Sequence, residues 1–547
     1  MSTKPSGFRV WFALGALCSV ATGSAAEPHA DHSLGKVDFK ISCSPPAQEQ
    51  FNHGLALLHH MTYPQAREAF EQAVATEPRC AMAHWGVAMT LFQPLWPTRP
   101  SAAALQRGWD ETQAAKSLLA GNDRERWFVN AAEAFFLEPA GKDYWLRIRR
   151  WEQAARKVHE ALPDDQEAAL FYALAHLATT PASGNTREHA DESAAILVKV
   201  YQRNPDHPGS MHYLVHANDV PGRERELLDV TNKYEAIAPN NPHALHMPTH
   251  IYTRLGQWDA VIKGNLRAAD AALLHPAGEQ GDLVWDEFAH AIEYLVYAYL
   301  QQGDDTDAAA QLQRLQGTAH LEPTFKTAFH LASTQSRYAL ERRAWNEAMQ
   351  IVPRSPAYLD WDRFMWAEAT ARFARGLGAA HLGNKQEVDQ ATARLSDLEN
   401  VARKSGEDLF ARSIQVLRLE LTAWFAHEQG QQASSIDVMR EAAALEAATP
   451  KHAVTPGPTL PAYELLGDLY SEQKNPAAAL DAYRSSLQLY PQRFNSLLGS
   501  ARAARSLGDP IAARELYGKL LSLAAPGNRA APIEEARRYL AAEPGSP

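Results

Sequence analysis

The sequence predicts an all-α fold in which helical hairpins stack one on another into a solenoid. The first observation is length, because 547 residues are too many for one compact core and require several domains or a repeat array. The second is periodicity, since apolar residues recur at helical spacing and no convincing run of alternating strand residues appears. The third is internal repetition, which is visible near both ends of the chain.

The repeat consists of small and large residues at fixed positions within a pair of helices. In "AQEQFNHGLALLHHMTYPQAREAFEQAVATEP" these positions hold Gly54, Ala66, Phe70, Ala73 and Pro78. The small residues let the helices approach closely, and Pro78 ends the second helix because it has no amide hydrogen to donate. Near the other end, "LPAYELLGDLYSEQKNPAAALDAYRSSLQLYP" repeats the pattern with Tyr463, Gly467, Tyr470, Ala479, Tyr483 and Pro491.

Both stretches resemble the tetratricopeptide repeat (TPR) family. Looser matches recur between them, so the resemblance covers most of the chain after its N-terminal segment. It implies an α-solenoid of about ten TPR-like hairpins, forming a right-handed superhelix with a concave groove. Grooves of this family commonly hold a peptide or protein partner, which is therefore what the resemblance implies here.

The N-terminal 26 residues have the features of a signal peptide. Lys4 and Arg9 precede the apolar run "VWFALGALCSVA", and "SAA" at residues 24–26 offers small side chains for cleavage. No later apolar stretch approaches the roughly 20 residues that a membrane-spanning helix needs. We therefore expect residues 1–26 to be removed and the mature protein to be periplasmic or secreted, with no transmembrane segment.

Two cysteines remain after such cleavage, Cys43 and Cys80. In an oxidising compartment an even pair is expected to be bonded. The sequence therefore predicts a Cys43–Cys80 disulfide.

The charge balance argues against a nucleic-acid partner. The chain has 53 Lys and Arg against 64 Asp and Glu, a formal net charge of −11. We find no basic stripe, and phosphate backbones are bound by clustered positive charge.

The composition divides the rest of the chain into four parts. Residues 27–46 are expected to be an extended N-terminal segment, and residues 47–448 a TPR-like solenoid whose His-rich centre spans about 170–300. The stretch "TPKHAVTPGPTLP" at 449–461 is rich in Pro and Gly, which favours a linker. Residues 462–547 are expected to form the C-terminal TPR repeats.

Two histidine pairs stand at equivalent positions of adjacent repeats. "HPGSMHYLVHAND" begins at residue 207 and "NPHALHMPTHIYT" at residue 241, so His212 corresponds to His246 and His216 to His250. Each pair is spaced i, i+4 and so shares one face of a helix. The resemblance implies that these positions face the concave groove. We therefore expect four imidazoles to converge there.

Neighbouring repeats add further candidates to this groove. Phasing the next first helix places His290 and Glu293 on the same stripe, and His176, His243 and Asp219 lie beside it. Imidazole suits transition metals such as copper and zinc. We predict His212, His216, His246, His250 and His290 as metal ligands. Because no glutamate lies inside either pair, as it does in HExxH proteases, the base for any catalysis would be Glu293 or Asp219.

Pro248 lies between His246 and His250, where it removes one helical hydrogen bond. Either the helix begins at Pro248, or it is kinked between its two histidines. Asn241 as cap, followed by Pro242, favours the earlier start and the kink. Another adjacent pair, His59 and His60, lies at the end of a first helix, where we expect solvated side chains.

The central segments "HPGSMHYLVHAND", "APNNPHALHMPTHIYTRLGQW" and "CAMAHWGVAM" resemble a group of exported bacterial TPR proteins with no assigned activity. That resemblance implies export and a His-rich centre but no reaction, so whether the chain is an enzyme stays open. We expect a copper or zinc protein, which as an enzyme would be an oxidase or a hydrolase. The alternatives are metal storage, a metal-free scaffold that binds peptides, and histidine pairs that merely pack.

Overall fold

The computed structural model describes residues 33–96, 98–119, 121–141, 143–278, 281–525 and 531–542. The predicted signal peptide lies outside these residues, as do residues 27–32. Within the described residues the chain is helical apart from loops and two isolated β-bridges. No helix in this part of the chain has both the length and the hydropathy that crossing a bilayer requires.

The helices fall into three consecutive sets. The first set precedes the His-rich repeats and consists of α1 (Pro45–His59), α2 (Tyr63–Thr76), α3 (Ala81–Met89), α4 (Ala102–Leu118), α5 (Asp123–Phe136), α6 (Tyr144–Ala161), α7 (Gln166–Ala178), α8 (Thr180–Ser183) and α9 (Thr186–Arg203). The second contains the His-rich repeats and consists of α10 (Pro208–Asn218), α11 (Leu228–Ile237), α12 (Pro242–His246), α13 (Pro248–Leu255), α14 (Trp258–Ala272), α15 (Asp286–Gln301) and α16 (Asp305–Gly317). The third consists of α17 (Phe325–Glu341), α18 (Trp345–Met349), α19 (Met365–His381), α20 (Lys385–Lys404), α21 (Asp408–Glu428), α22 (Gln432–Ala447), α23 (Ala462–Glu472), α24 (Pro476–Leu489), α25 (Phe494–Ser506), α26 (Pro510–Leu523) and α27 (Ala531–Ala541), with a 3₁₀ turn at Trp361–Arg363.

Consecutive helices pack as hairpins, and the first helices of successive hairpins also contact one another, as in the series α15, α17, α19 and α21. This arrangement confirms the predicted all-α solenoid. A large aromatic residue in a second helix packs between two glycines of first helices. A Cβ atom added to Gly54 or Gly86 would lie 3.0 or 2.3 Å from the Phe70 ring, and one added to Gly467 or Gly499 would lie 2.6 or 2.3 Å from the Tyr483 ring. These close approaches explain the small residues of the repeat.

The solenoid is wound tightly enough for distant repeats to meet. Helix α1 packs against α10, and α15 contacts α25. Arg99, in the connection between α3 and α4, forms a two-pronged ion pair with Glu407 at 2.8 and 2.9 Å. Each of these contacts joins hairpins that are far apart in sequence.

Residues 449–461, which the composition suggests as a linker, run through the interior of this winding. Val454 and Leu460 are buried, and His452 packs against Trp366 of α19 and Phe410 of α21. Arg337 of α17 donates hydrogen bonds to the backbone carbonyls of residues 457 and 458. The chain itself therefore covers the first helices of these hairpins.

The predicted Cys43–Cys80 disulfide is present and closes a loop with a sequence separation of 37. It ties the segment before α1 to the start of α3. Reduction is expected to lower the free energy of unfolding of the N-terminal hairpins by about 4 kcal/mol, since the unfolded loop gains chain entropy. Denaturant unfolding with and without a reducing agent measures the loss. The Cys43→Ala/Cys80→Ala variant should not respond to the agent, and an unchanged wild-type transition would contradict the prediction.

Candidate metal centre

The two His-rich helices are positioned by local capping. Helix α10 starts at Pro208 and carries His212 and His216 on successive turns. Helix α12 starts at Pro242, and the side chain of Asn241 accepts the Ala244 amide hydrogen at 3.0 Å. This start agrees with the capping prediction.

The helix that contains Pro248 begins before the proline, at Pro242, and is kinked between His246 and His250. Its hydrogen-bond ladder breaks at Met247, whose backbone stays α-helical (φ −54°, ψ −41°), and α13 resumes at Pro248. The Thr249 hydroxyl donates to the His246 carbonyl at 2.6 Å, which partly replaces the ladder that proline interrupts. His246 and His250 therefore remain on one face, as the sequence predicted for the earlier start.

Six histidines from this region form two groups of three. Within each group one ligand-type atom per residue lies within 4.8 Å of the others, and the groups are His212, His216 and His243, and then His246, His250 and His290. All six are buried. The five predicted ligands are thus brought together, and His243 joins them as the sixth member.

In the first group, the Nε2 atom of His212 lies 3.1 Å from Nε2 of His216 and 3.1 Å from Nε2 of His243. The remaining ring nitrogens fix the tautomers. His212 Nδ1 donates to the backbone carbonyl of His59 at 2.6 Å, and His243 Nδ1 donates to the Glu287 carboxylate at 3.2 Å. Since a neutral imidazole has one N–H, the Nε2 atoms of His212 and His243 face each other as lone pairs.

The second group repeats this arrangement. The Nε2 atoms of His246 and His250 are 2.9 Å apart. His250 Nδ1 donates to Asp219 at 3.0 Å, and His246 Nδ1 donates to Oδ1 of Asn265 at 2.6 Å. The amide of Asn265 is oriented by its own Nδ2, which donates to the Val261 carbonyl at 2.8 Å. Here too, two lone pairs point at each other.

His290 completes the second group through a hydrogen-bonded relay. Its Nδ1 donates to Nε2 of His330 at 3.0 Å, and His330 Nδ1 donates to the Glu293 carboxylate at 2.5 Å. The Nε2 atom of His290 is buried without a protein partner. Its ring centroid lies 4.2 Å from that of His246. The relay leaves a third lone pair for this group.

Opposed lone pairs in a buried site repel, so either a proton or a metal ion must lie between them. Burial lowers the pKa of His212, His216, His246 and His290 well below the usual range, and that of His250 to about 4. Protonation is therefore costly. Metal–nitrogen bonds of about 2.0–2.1 Å place two tetrahedral ligands roughly 3.3 Å apart. The spacings of 2.9 and 3.1 Å are close to that value, so the residues fit transition-metal ions.

The two groups lie side by side. The ring centroids of His243 and His246 are 6.2 Å apart, as are those of His216 and His250. Trp96 packs edge-on against both groups, with centroids 5.4 Å from His243 and 5.6 Å from His290. Ions held in both groups would form one centre.

The two carboxylates predicted as bases are both engaged in fixing histidines. Glu293 accepts hydrogen bonds from His330, Ser333 and Arg337. These contacts lower its pKa against the opposing effect of burial. It therefore reaches the centre only through the His330 relay, and a role as a free base does not fit this geometry.

Asp219 is held in a similar way. It accepts hydrogen bonds from His250, Arg254 and Lys451. Although burial favours its neutral form, Lys451 and Arg254 hold the pKa of Asp219 well below its usual range. A carboxylate with three cationic or N–H partners is a weak base, so its role here is to orient His250.

Several residues of the centre were missed by the sequence analysis. Glu287 orients His243 and is itself paired with Lys326, whose ammonium also lies 4.2 Å above the Trp96 ring. His330 fixes the tautomer of His290, and Asn265 fixes that of His246. Extending the repeat phasing one more first helix, to α17, would have identified His330. Glu287, Asn265 and Trp96 give no signal in the sequence, because their roles depend on contacts between hairpins.

Three other histidines are placed differently from expectation or outside the centre. His176 lies between Glu152 and Glu192, at 3.3 and 3.1 Å, and stacks on His189 rather than joining either group. His59 and His60 are fully buried, so the expectation of solvated side chains was wrong. They are covered because α1 packs against α10 across three intervening hairpins, a contact that local sequence does not reveal.

The cluster of His59, Glu167 and His207 also brings possible ligand atoms together, but its hydrogen bonding is complete. Glu167 bonds to Nε2 of His59 at 2.8 Å and to Nε2 of His207 at 3.0 Å. The other ring nitrogens are bonded to the Tyr213 hydroxyl and to the Gly209 amide. No lone pairs are opposed here, so this cluster is a structural network that supports α10.

No protein-family model matches the sequence, and the search of curated proteins found no similar chain. Solved structures with similarity include the APC/C hetero-tetramer Cut9–Hcn1, at 13% identity and a TM-score of 0.29, with 91% of this chain and 97% of that chain covered. Another is the human IFIT1 dimer with PPP-AAAA, at 12% identity and a TM-score of 0.39, with 81% and 91% covered. TM-scores this low show no common overall shape, and nothing about those proteins is transferred to this chain.

Proposed function

We propose that the protein is an exported metalloprotein whose six clustered histidines hold two copper ions in one redox centre. The observation that carries the proposal is the set of opposed Nε2 lone pairs, at 3.1 Å between His212 and His243 and at 2.9 Å between His246 and His250. The Nδ1 atoms of five of these histidines are bonded to carbonyl, amide, carboxylate or imidazole acceptors, namely those of His212, His243, His246, His250 and His290. Outer partners of this kind orient histidine ligands in metal sites.

Copper is favoured over zinc by the ligands. The six side chains are neutral imidazoles, and Cu²⁺ has the highest affinity of the divalent first-row ions for such nitrogen sites. Three protein ligands per ion leave a further coordination position, which a reactive site requires. Two copper ions supply two one-electron acceptors when bound.

An oxidase fits the surroundings better than a hydrolase. Hydrolysis of a substrate needs a proton acceptor near the metal-bound water, and the two predicted bases, Asp219 and Glu293, are already bonded to cationic or N–H groups. Oxidation instead removes two electrons and two protons from a donor molecule, and the reduced acceptor, not a side chain of the centre, takes up the protons. Dioxygen as the acceptor takes up the same electrons and protons to give hydrogen peroxide, which balances the reaction.

The metal-free scaffold that binds peptides in its groove has less support. Residues 449–461 lie along the first helices α17, α19 and α21 and bond to Arg337. Trp96, from the connection after α3, covers the histidines. A peptide could use this face only by displacing both segments of the chain.

Elemental analysis of protein purified without a histidine tag tests the proposal. We expect about two equivalents of copper after reconstitution and dialysis, and two electrons per protein in a reductive titration followed by reoxidation with dioxygen. Two equivalents of zinc in protein from native culture, with no redox response after copper loading, would retain the metal centre but reject the oxidase. Less than a tenth of an equivalent of any metal after reconstitution would reject the proposal.

A further inference from the structure

The two histidine groups differ in their access to solvent. His216 is 9% exposed, whereas the other five histidines are 0–1% exposed. His216 also lines a cleft of about 100 Å³, and the other five do not. The difference arises because α10 ends at Asn218, so His216 lies in its last turn beside the connection to α11.

The cleft is formed by two parts of the chain that are far apart in sequence. One wall is the turn from α7 to α9, which contributes Leu177, Pro181, Thr186 and Ala190. The facing wall is residues 450–453 of the interior segment, together with Leu409 of α21. Most of these side chains are apolar, as is usual for pockets that bind small molecules.

The charged groups of the cleft are paired with one another. Asp219 lies against two cations, Lys451 at 2.9 Å and Arg254. His452, on the same wall, is buried, and burial lowers its pKa to about 3. Among the described residues that line the cleft, no carboxylate is left to pair with a cationic substrate. A cationic molecule entering the cleft would lose hydration without gaining a partner, and the positive charge of a bound copper ion would repel it.

We infer that the ion held by His212, His216 and His243 is the one that meets the substrate, and that the cleft admits a mainly apolar molecule without positive charge, about the size of one aromatic ring. The ion of the other group is enclosed and contacts no substrate. This inference rests on the proposed function, since it assigns the substrate side of the same centre. It also assigns the interior segment a role as one wall of the binding site.

Pyridine and 3-(aminomethyl)pyridine are suitable probes for the copper-loaded protein, because they share a ring and a nitrogen donor but the second carries a positive charge at neutral pH. We expect the visible absorption of the protein to change on titration with pyridine and to saturate at one pyridine per protein. The cationic probe should bind at least tenfold more weakly. Saturation at two pyridines, or equal binding of the cationic probe, would overturn the inference.

A pair of variants on α9 tests the path to the ion. Thr186 lines the cleft and is partly exposed, so Thr186→Trp fills the mouth without opening the core. Glu188 lies two residues further on and is exposed, which makes Glu188→Trp a matched control. Both variants should keep two copper equivalents, and only Thr186→Trp should weaken pyridine binding, by tenfold or more. If both bind pyridine like the wild type, the cleft is not the path; if the wild type holds no metal, the proposed function itself fails.

Discussion

His246→Ala protein is expected to retain about one equivalent of metal where the wild type retains two. The variant removes one of three ligands from the group that includes His250 and His290, while His212, His216 and His243 keep theirs. Changes to outer partners alone typically reduce metal affinity 10- to 100-fold, so loss of a ligand should weaken its site by at least that much. Elemental analysis after dialysis measures the loss, and His212→Ala should affect the other site in the same way.

The matched control is His176→Ala, because His176 is also buried but lies in neither group. It should keep two equivalents. Thermal unfolding provides a second measurement, since an ion at 100 times its dissociation constant stabilises the folded state by about 2.7 kcal/mol per site. The stabilisation on adding metal should fall by about half in His246→Ala. If His246→Ala and His212→Ala both bind as much metal as the wild type, these histidines are not the ligands.

Arg493→Met protein is expected to be about 3–5 kcal/mol less stable than the wild type, because the substitution removes the buried cation that lies between the Glu464 and Glu341 carboxylates. Arg493 is fully buried just before α25. It bonds to Glu464 at 2.9 and 3.1 Å, to Glu341 at 2.9 Å and to the Tyr297 hydroxyl at 3.0 Å. These partners lie on α23, α17 and α15, so one side chain joins the C-terminal hairpins to the repeats of the His-rich centre. Denaturant unfolding at neutral pH measures the change.

The control is Arg502→Met on α25, the helix that Arg493 precedes. Arg502 is half exposed and pairs with Glu535, and exposed ion pairs contribute about 1 kcal/mol or less. The effect of Arg493→Met should also depend on pH. Although burial raises the pKa of Glu464, Arg493 and Arg343 lower it to about 2. The stabilisation is therefore present above the unfolded pKa of about 4.3, and the difference from the wild type should shrink as pH falls from there towards 2. Equal effects of the two substitutions would contradict the assigned role.

Local sequence was sufficient to predict the helices and the residues that share one face of each helix. The spacing of Gly54, Phe70 and their counterparts predicted the hairpins, because close helix packing needs a small residue opposite a large one. The i, i+4 spacing of His212 with His216, and of His246 with His250, placed each pair on one face. Asn241 and Pro242 predicted the start of α12 and the kink. These features depend on neighbours within about one turn, which a sequence displays directly.

Which histidines form each group of three depends instead on how the helices pack against one another. His243 lies one turn before His246, yet its ring meets His212 of α10 rather than His250 or His290. His330 enters the centre from α17, about 40 residues beyond His290, and Trp96 enters from the connection after α3. Residues 449–461 carry the composition of a linker, yet they pack inside.

The sequence by itself thus determined which side chains each helix presents to the interior, because helical geometry repeats every few residues. Only the tertiary structure decided which of those side chains meet. The tight winding brings α1 to α10, α15 to α25 and the interior segment to Asp219, and small rotations between successive hairpins accumulate over the array to set these contacts. The pairing of lone pairs, the anchoring of Asp219 and Glu293 and the single open side at His216 all follow from that accumulated geometry.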